Sequence, residues 1–90
     1  MVEVLKYIHE NIKKQLNVSE IASCVGYSKW YFSKKFHEFT GLTFVEYVRH
    51  YRVQLAAIDI LNGKTVTEVS LEYGYESLGG FNKAFLKEYG

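Results

Sequence analysis

NVSEIASCVGYSKWYFSKKFHEFTG, residues 17–41, and TVTEVSLEYGYESLGGFNKAFLKEYG, residues 65–90, are two versions of one pattern. At an offset of 48, Val18, Glu20, Gly26 and Tyr27 fall on Val66, Glu68, Gly74 and Tyr75. The second copy then gains one residue, Glu76. At the new offset of 49, Ser28, Phe32, Lys34, Phe36 and Gly41 fall on Ser77, Phe81, Lys83, Phe85 and Gly90. Each copy parses as helix, tight turn, helix. Asn17 with Glu20, and Thr65 with Glu68, have the spacing of a capping box, which starts the first helix of each pair. Gly26 and Gly74 stand where a helix C-terminus calls for a left-handed residue. Ser28 and Ser77 then suit the N-cap of the second helix. Two helices joined by a short turn containing Gly make a helix-turn-helix.

A helix hairpin that only packs would use the same turns, so the faces of the second helix carry the distinction. At about 100° per residue, Phe32 and Phe36 share one side. Trp30 and Lys34 lie opposite them with Ser33 alongside, an exposed combination that packing alone does not call for. In the second copy Phe81 and Phe85 point inward, and Gly79, Asn82 and Lys83 occupy the outer face. Each first helix has an apolar edge to meet them: Ile21, Ala22 and Val25, then Val69, Ser70 and Tyr73.

Between the copies, Thr43 with Glu46 makes a third capping box. Phe44, Tyr47, Val48, Tyr51, Leu55 and Ile58 follow at helical spacing until Asn62-Gly63 closes the run. About twenty residues at 1.5 Å each is roughly 30 Å of rod. Successive major-groove faces of B-DNA lie about 34 Å apart, so such a linker suits two recognition helices one DNA turn apart.

Ninety residues with 48 % apolar content suffice for one or two modest cores and exclude a disordered chain. There is no Pro, and stretches alternating long enough for strands are scarce. All-α is the expected class. Net charge is only +1, but it is uneven: net +1 over residues 17–41 and net −2 over residues 65–90. One cysteine, Cys24, excludes an internal disulfide and fits a reducing compartment. Met1 to Ile12 carries charges every few residues, which is neither a signal peptide nor a membrane span; a cytoplasmic protein is expected. His9, His37, His50 and Cys24 have no zinc spacing, and no nucleophile–base pair or phosphate loop stands out, so no metal, cofactor or enzyme activity is expected.

GYSKWYFSKKF followed by GLTFVEYVRHYR, with the second copy above, resembles the DNA-binding domain of the AraC/XylS family of bacterial transcription regulators. The likeness runs from Val2 to Gly90. It implies a seven-helix domain of two homeodomain-like three-helix units: residues 1–41, a linker helix over 42–63, and a second unit over 64–90 that stops short of the family pattern. It implies two recognition helices entering adjacent major grooves of double-stranded DNA. RNA polymerase is a further partner that the family admits, as is an effector or dimerisation domain outside this chain. The family pattern usually continues past the final Gly with a Pro and a Tyr-Arg pair, which follow nowhere in these 90 residues. Ser70 replaces the usual Ala, and Leu78-Gly79-Gly80 stands where polar side chains are frequent.

The family reads bases with the outer face of each second helix, which carries over to Trp30, Ser33 and Lys34, then Asn82 and Lys83, the positions that periodicity also selects. Lys suits guanine O6 and N7, and Asn suits adenine. Lys29, Lys35, Arg49 and Arg52 are candidates for phosphate. With Gly79 in its first turn and a net negative surround, the second helix is expected to read DNA more loosely than the first. The competing reading is a helical protein-interaction module anchored by Trp30 and Tyr31.

Overall fold

The computed structural model describes Met1–Gly90 and contains six helices and no strand. They are α1 (Val2–Glu10), α2 (Val18–Cys24), α3 (Lys29–Thr40), α4 (Phe44–Leu61), α5 (Val66–Glu72) and α6 (Leu78–Tyr89). The resemblance implied seven; these 90 residues form six.

The helix ends follow the local chemistry. Thr43 and Glu46 form a full capping box, with Glu46 N–H donating to the Thr43 hydroxyl at 3.1 Å and Thr43 N–H to the Glu46 carboxylate at 3.0 Å. Thr65 and Glu68 do the same at α5. At α2 only half of the expected box exists: Asn17 Oδ1 accepts from Glu20 N–H at 3.1 Å, and no reciprocal bond forms. The Ser28 and Ser77 hydroxyls accept from the Tyr31 and Gly80 amides, capping α3 and α6. Both tight turns close identically. Tyr27 N–H reaches Ala22 C=O and Gly26 N–H reaches Ser23 C=O; Tyr75 and Gly74 repeat this on Ser70 and Leu71. This double closure needs a left-handed residue, and φ is +77° at Gly26 and +82° at Gly74.

Packing departs from the single stripe expected of α4. Its first half buries Phe44 and Val48 and packs on α3, where Phe36 meets Phe44 edge-on with ring centroids 5.6 Å apart and Tyr47 at 5.3 Å. In its second half Val53 and Ala56 are fully buried, while Ile58, on the expected stripe, is 47 % exposed. A helix packed by a different unit at each end must present a different side to each, and one 3.6-residue stripe cannot describe both. Val25 is likewise exposed, whereas Ile21 and Ala22 are buried as expected, as are Val69, Ser70 and Tyr73.

The two halves share one core. Thirteen buried residues from Val4, Ile8 and Ile12 through Phe32, Phe36 and Val48 to Val69, Tyr73 and Phe81 form a single cluster. α1 closes it from above: the His9 ring stacks on Tyr51 at 4.1 Å, and its Nε2 hydrogen-bonds the Tyr47 hydroxyl at 2.7 Å. Tyr73 donates to Asp59 at 2.7 Å, and its burial, reinforced by that carboxylate, pushes the phenol pKa well above its usual value. No helix is long and apolar enough to cross a membrane.

Candidate nucleic-acid interface

α3 is anchored by its inner face. Phe32 and Phe36 have no exposed surface, and they stack on each other at 5.7 Å. Because they lie one turn apart, the helix cannot rotate without exposing both rings. Its outer face is therefore held in one orientation, with Lys29, Trp30, Ser33, Lys34 and His37 all exposed. Trp30 is 73 % exposed, and the Lys34 ammonium sits 5.4 Å from its ring centroid. Such a cation–π contact is weak in water. It leaves the ammonium free of any carboxylate partner. His37, at i+4 from Ser33, lengthens the stripe by one turn; the same periodicity would have picked it out.

α6 repeats the arrangement with fewer side chains. Phe81 and Ala84 are buried and Phe85 half-buried, leaving Gly79, Asn82 and Lys83 outward. Asn82 also stands at the rim of an apolar cleft walled by Ala57, Ile60 and Phe85. A Cβ built on Gly79 or Gly80 would meet only the Ser77 hydroxyl, at 3.7 and 3.5 Å. Neither residue has positive φ, so neither glycine is required by the free fold.

Among the phosphate candidates, the structure separates free cations from committed ones. Lys29 is exposed with no ion-pair partner, like Lys34 and Lys83. Lys35 lies 3.6 Å from Glu38 and over the Tyr31 ring. Arg49 instead donates through Nε to Glu88 at 2.9 Å. Arg52 donates to the Ile12 carbonyl at 2.7 Å and to the Lys14 carbonyl at 2.5 Å. Both arginines thus hold the fold together, with partners 38–40 residues away in sequence.

The same pairings change the electrostatic expectation for the second half. Glu72 accepts from Lys64 at 3.0 Å and Lys13 at 3.2 Å, and these bonds hold its carboxyl below the usual range. Glu88 accepts from Arg49 and His50, and Glu68 caps α5. Only Glu76 among the four carboxylates of residues 65–90 has no such partner. The net −2 of that segment is largely cancelled by cations from outside it. Looser reading by α6 would then rest on its glycines rather than on charge.

No group of three or more His, Cys, Asp or Glu side chains is placed to hold a metal ion. Cys24 is exposed and unpaired.

Comparison with known proteins accords with this geometry. The family described as helix-turn-helix domain matches residues 21–90. The TetD protein of transposon Tn10 from Escherichia coli is 36 % identical over 84 residues, covering 92 % of this chain and 61 % of TetD, so the chain spans under two thirds of that relative. Regulatory protein SoxS of Salmonella typhimurium is 32 % identical over 87 residues, covering 96 % of this chain and 81 % of SoxS. The C-terminal domain of the two-component response regulator yesN from Fusobacterium nucleatum superposes with a TM-score of 0.87 over 97 % of this chain and 92 % of that one, at 24 % identity. A transcriptional regulator with an AraC-type DNA-binding domain from Chromobacterium violaceum gives 0.85 over 98 % and 80 %, at 22 % identity. At such identities the two structures speak for the fold. The helix-turn-helix match over most of the chain and the likeness to SoxS decide the family: this chain belongs to the AraC/XylS family of helix-turn-helix transcription regulators.

Proposed function

We propose that this chain binds double-stranded DNA sequence-specifically, as the DNA-binding part of a bacterial transcription regulator, with α3 and α6 in adjacent major grooves. The observation that carries the reading is the outer stripe of α3, where Trp30, Ser33 and Lys34 stand exposed on a helix locked by Phe32 and Phe36. Lys34 and Ser33 read base edges, Trp30 packs against sugar or a thymine methyl, and Lys29 contacts phosphate. Asn82 and Lys83 do the corresponding work on α6. Lys35 serves phosphate only by leaving Glu38, while Arg49 and Arg52 are better employed inside the fold. RNA polymerase and an effector or dimerisation domain are further partners in the same proposal, and the cytoplasm is where such a regulator would work. Selection from random duplex DNA tests the reading: a bipartite motif should be enriched, with affinity falling steeply as salt rises. Recovery of no motif would overturn it.

Trp30 supplies a direct probe, being the chain's only tryptophan. In the free protein its emission is expected to be red-shifted, as for a ring in water, and to change when the selected duplex is added. Blue-shifted emission indifferent to DNA would remove Trp30 from the interface.

The glycines of α6 give a second expectation. Gly79→Ala should stabilise the chain by a few tenths of a kcal/mol and at most about 1 kcal/mol, because alanine is the better helix former. DNA affinity should stay within about twofold if the glycine is passive, as its open surroundings indicate. Base-pair changes under α6 should then cost less than about 1 kcal/mol, against about 1–3 kcal/mol under α3. A tenfold loss of affinity in Gly79→Ala would show instead that bare backbone approaches the groove.

A further inference from the structure

Besides the core packing of Phe81 and Ala84, a polar contact ties the far end of the second recognition helix to the rest of the molecule. Glu88 is in the last turn of α6, which ends at Tyr89. Its two carboxylate oxygens are used separately: Oε1 accepts from Arg49 Nε at 2.9 Å, and Oε2 is 2.8 Å from His50 Nδ1. Only 11 % of the Glu88 side chain and 25 % of the Arg49 side chain remain exposed. Water screens this pair far less than the i,i+4 pair Lys6–Glu10, whose side chains are mostly exposed. Burial would raise the Glu88 pKa, but the bonds from His50 and Arg49 outweigh it and keep the carboxyl ionised. An ionised carboxylate only accepts, so Nδ1 of His50 carries the proton.

The position of the two partners matters more than their charge. Arg49 and His50 follow directly on Tyr47, whose ring packs on Phe36 of α3, and on the buried Val48. Glu88 therefore fastens α6 to the half of α4 that belongs to the first unit, not to the half nearest α6 in sequence. A continuous path runs from Phe36 of α3 through Tyr47 and Val48 to Arg49 and His50, and on to Glu88 of α6. Two oxygens held by two consecutive side chains fix both the position and the roll of the α6 C-terminus. One bond alone would hold that end less firmly, with only Phe81 and Ala84 packed in the core to restrain the helix.

We infer that Glu88 is a positioning residue that sets the angle of α6 relative to α3, and with it the spacing of the two half-sites the protein accepts. The inference rests on the DNA-binding reading above. In that reading one inserted base pair rotates the second half-site by about 34–36° about the duplex axis. A rigid pair of recognition helices cannot follow such a rotation, whereas a hinged pair can.

The test uses the whole chain and the duplex recovered by selection, with zero, one or two base pairs inserted between the half-sites. Wild type should lose affinity about tenfold or more on the first insertion, the scale of a poorly matched site. In Glu88→Ala that penalty should shrink at least about fivefold, with affinity for the original spacing reduced less than about tenfold. Glu88→Gln, which keeps an acceptor for Arg49 Nε, should fall between. Ile8→Val, a mild core change in α1, serves as the control for lost stability and should leave the ratio between spacings unchanged. A DNA-free readout runs in parallel. Residual dipolar couplings of α3 and α6 should fit one alignment tensor in wild type and need two in Glu88→Ala. An unchanged spacing ratio, or a single tensor in the variant, overturns the positioning role while leaving DNA binding intact. Failure to enrich any bipartite site would instead overturn the reading beneath it.

Discussion

Phe36→Ala is expected to lower the unfolding free energy by about 3–5 kcal/mol, the usual cost of deleting a buried aromatic. Phe36 has no exposed surface and touches three other aromatic rings: Phe32 at 5.7 Å, Phe44 at 5.6 Å and Tyr47 at 5.3 Å between centroids. The cavity left behind cannot collapse easily, because those rings belong to two helices already fixed by other contacts. A small domain has total stability of about 5–15 kcal/mol, so the substitution would remove a large fraction of it. DNA binding should weaken with it, since Phe36 helps to orient the outer face of α3. Leu61→Ala is the contrasting case: Leu61 is 86 % exposed, and its removal should change stability by no more than about 0.5 kcal/mol. Urea denaturation followed by far-ultraviolet circular dichroism measures both. A cost below about 1.5 kcal/mol for Phe36→Ala would mean that the ring cluster is less closely packed than described.

Lys34→Ala should weaken binding to the selected duplex by about 1–3 kcal/mol and relax the preference at a single base pair. The ammonium is exposed, unpaired with any carboxylate, and held near the Trp30 ring on the outward side of α3. Folding stability should hardly change, because the side chain makes no buried contact. The loss of affinity would therefore not reflect unfolding. If Lys34 reaches only a phosphate, binding would weaken equally on all sequences, and the slope of log affinity against log salt would drop by about one. Affinities for the wild-type and variant chains on every single-base variant of the site, at two salt concentrations, distinguish these outcomes. A folded Lys34→Ala chain with unaltered affinity, specificity and salt slope would remove Lys34 from the interface.

Much of this molecule is written locally. The turns at Gly26 and Gly74, the caps at Ser28, Thr43, Thr65 and Ser77, and the stop at Asn62-Gly63 each depend on residues within four or five positions of one another. Their spacing alone is enough to find them. The inward phenylalanines and the outward Trp30, Ser33 and Lys34 follow from helical periodicity, and the duplicated pattern supports both assignments at once. Here sequence determines the element order, the turns and which face of each second helix is free.

The rest belongs to the tertiary structure, because it depends on side chains that meet across 38–59 residues of chain. Arg49 and Arg52 have the sequence signature of surface cations, yet their guanidinium groups are turned to Glu88 and to the carbonyls of Ile12 and Lys14. The acidic balance of residues 65–90 is real in sequence and mostly cancelled in space, by Lys13, Lys64 and Arg49. Likewise α4 buries Val53 and leaves Ile58 half exposed, a placement that its own periodicity does not give. Periodicity reports which residues share a face, but it holds no information about the direction from which a distant element arrives. That direction is set by packing two units around one core, and it decides which cations remain free to meet DNA.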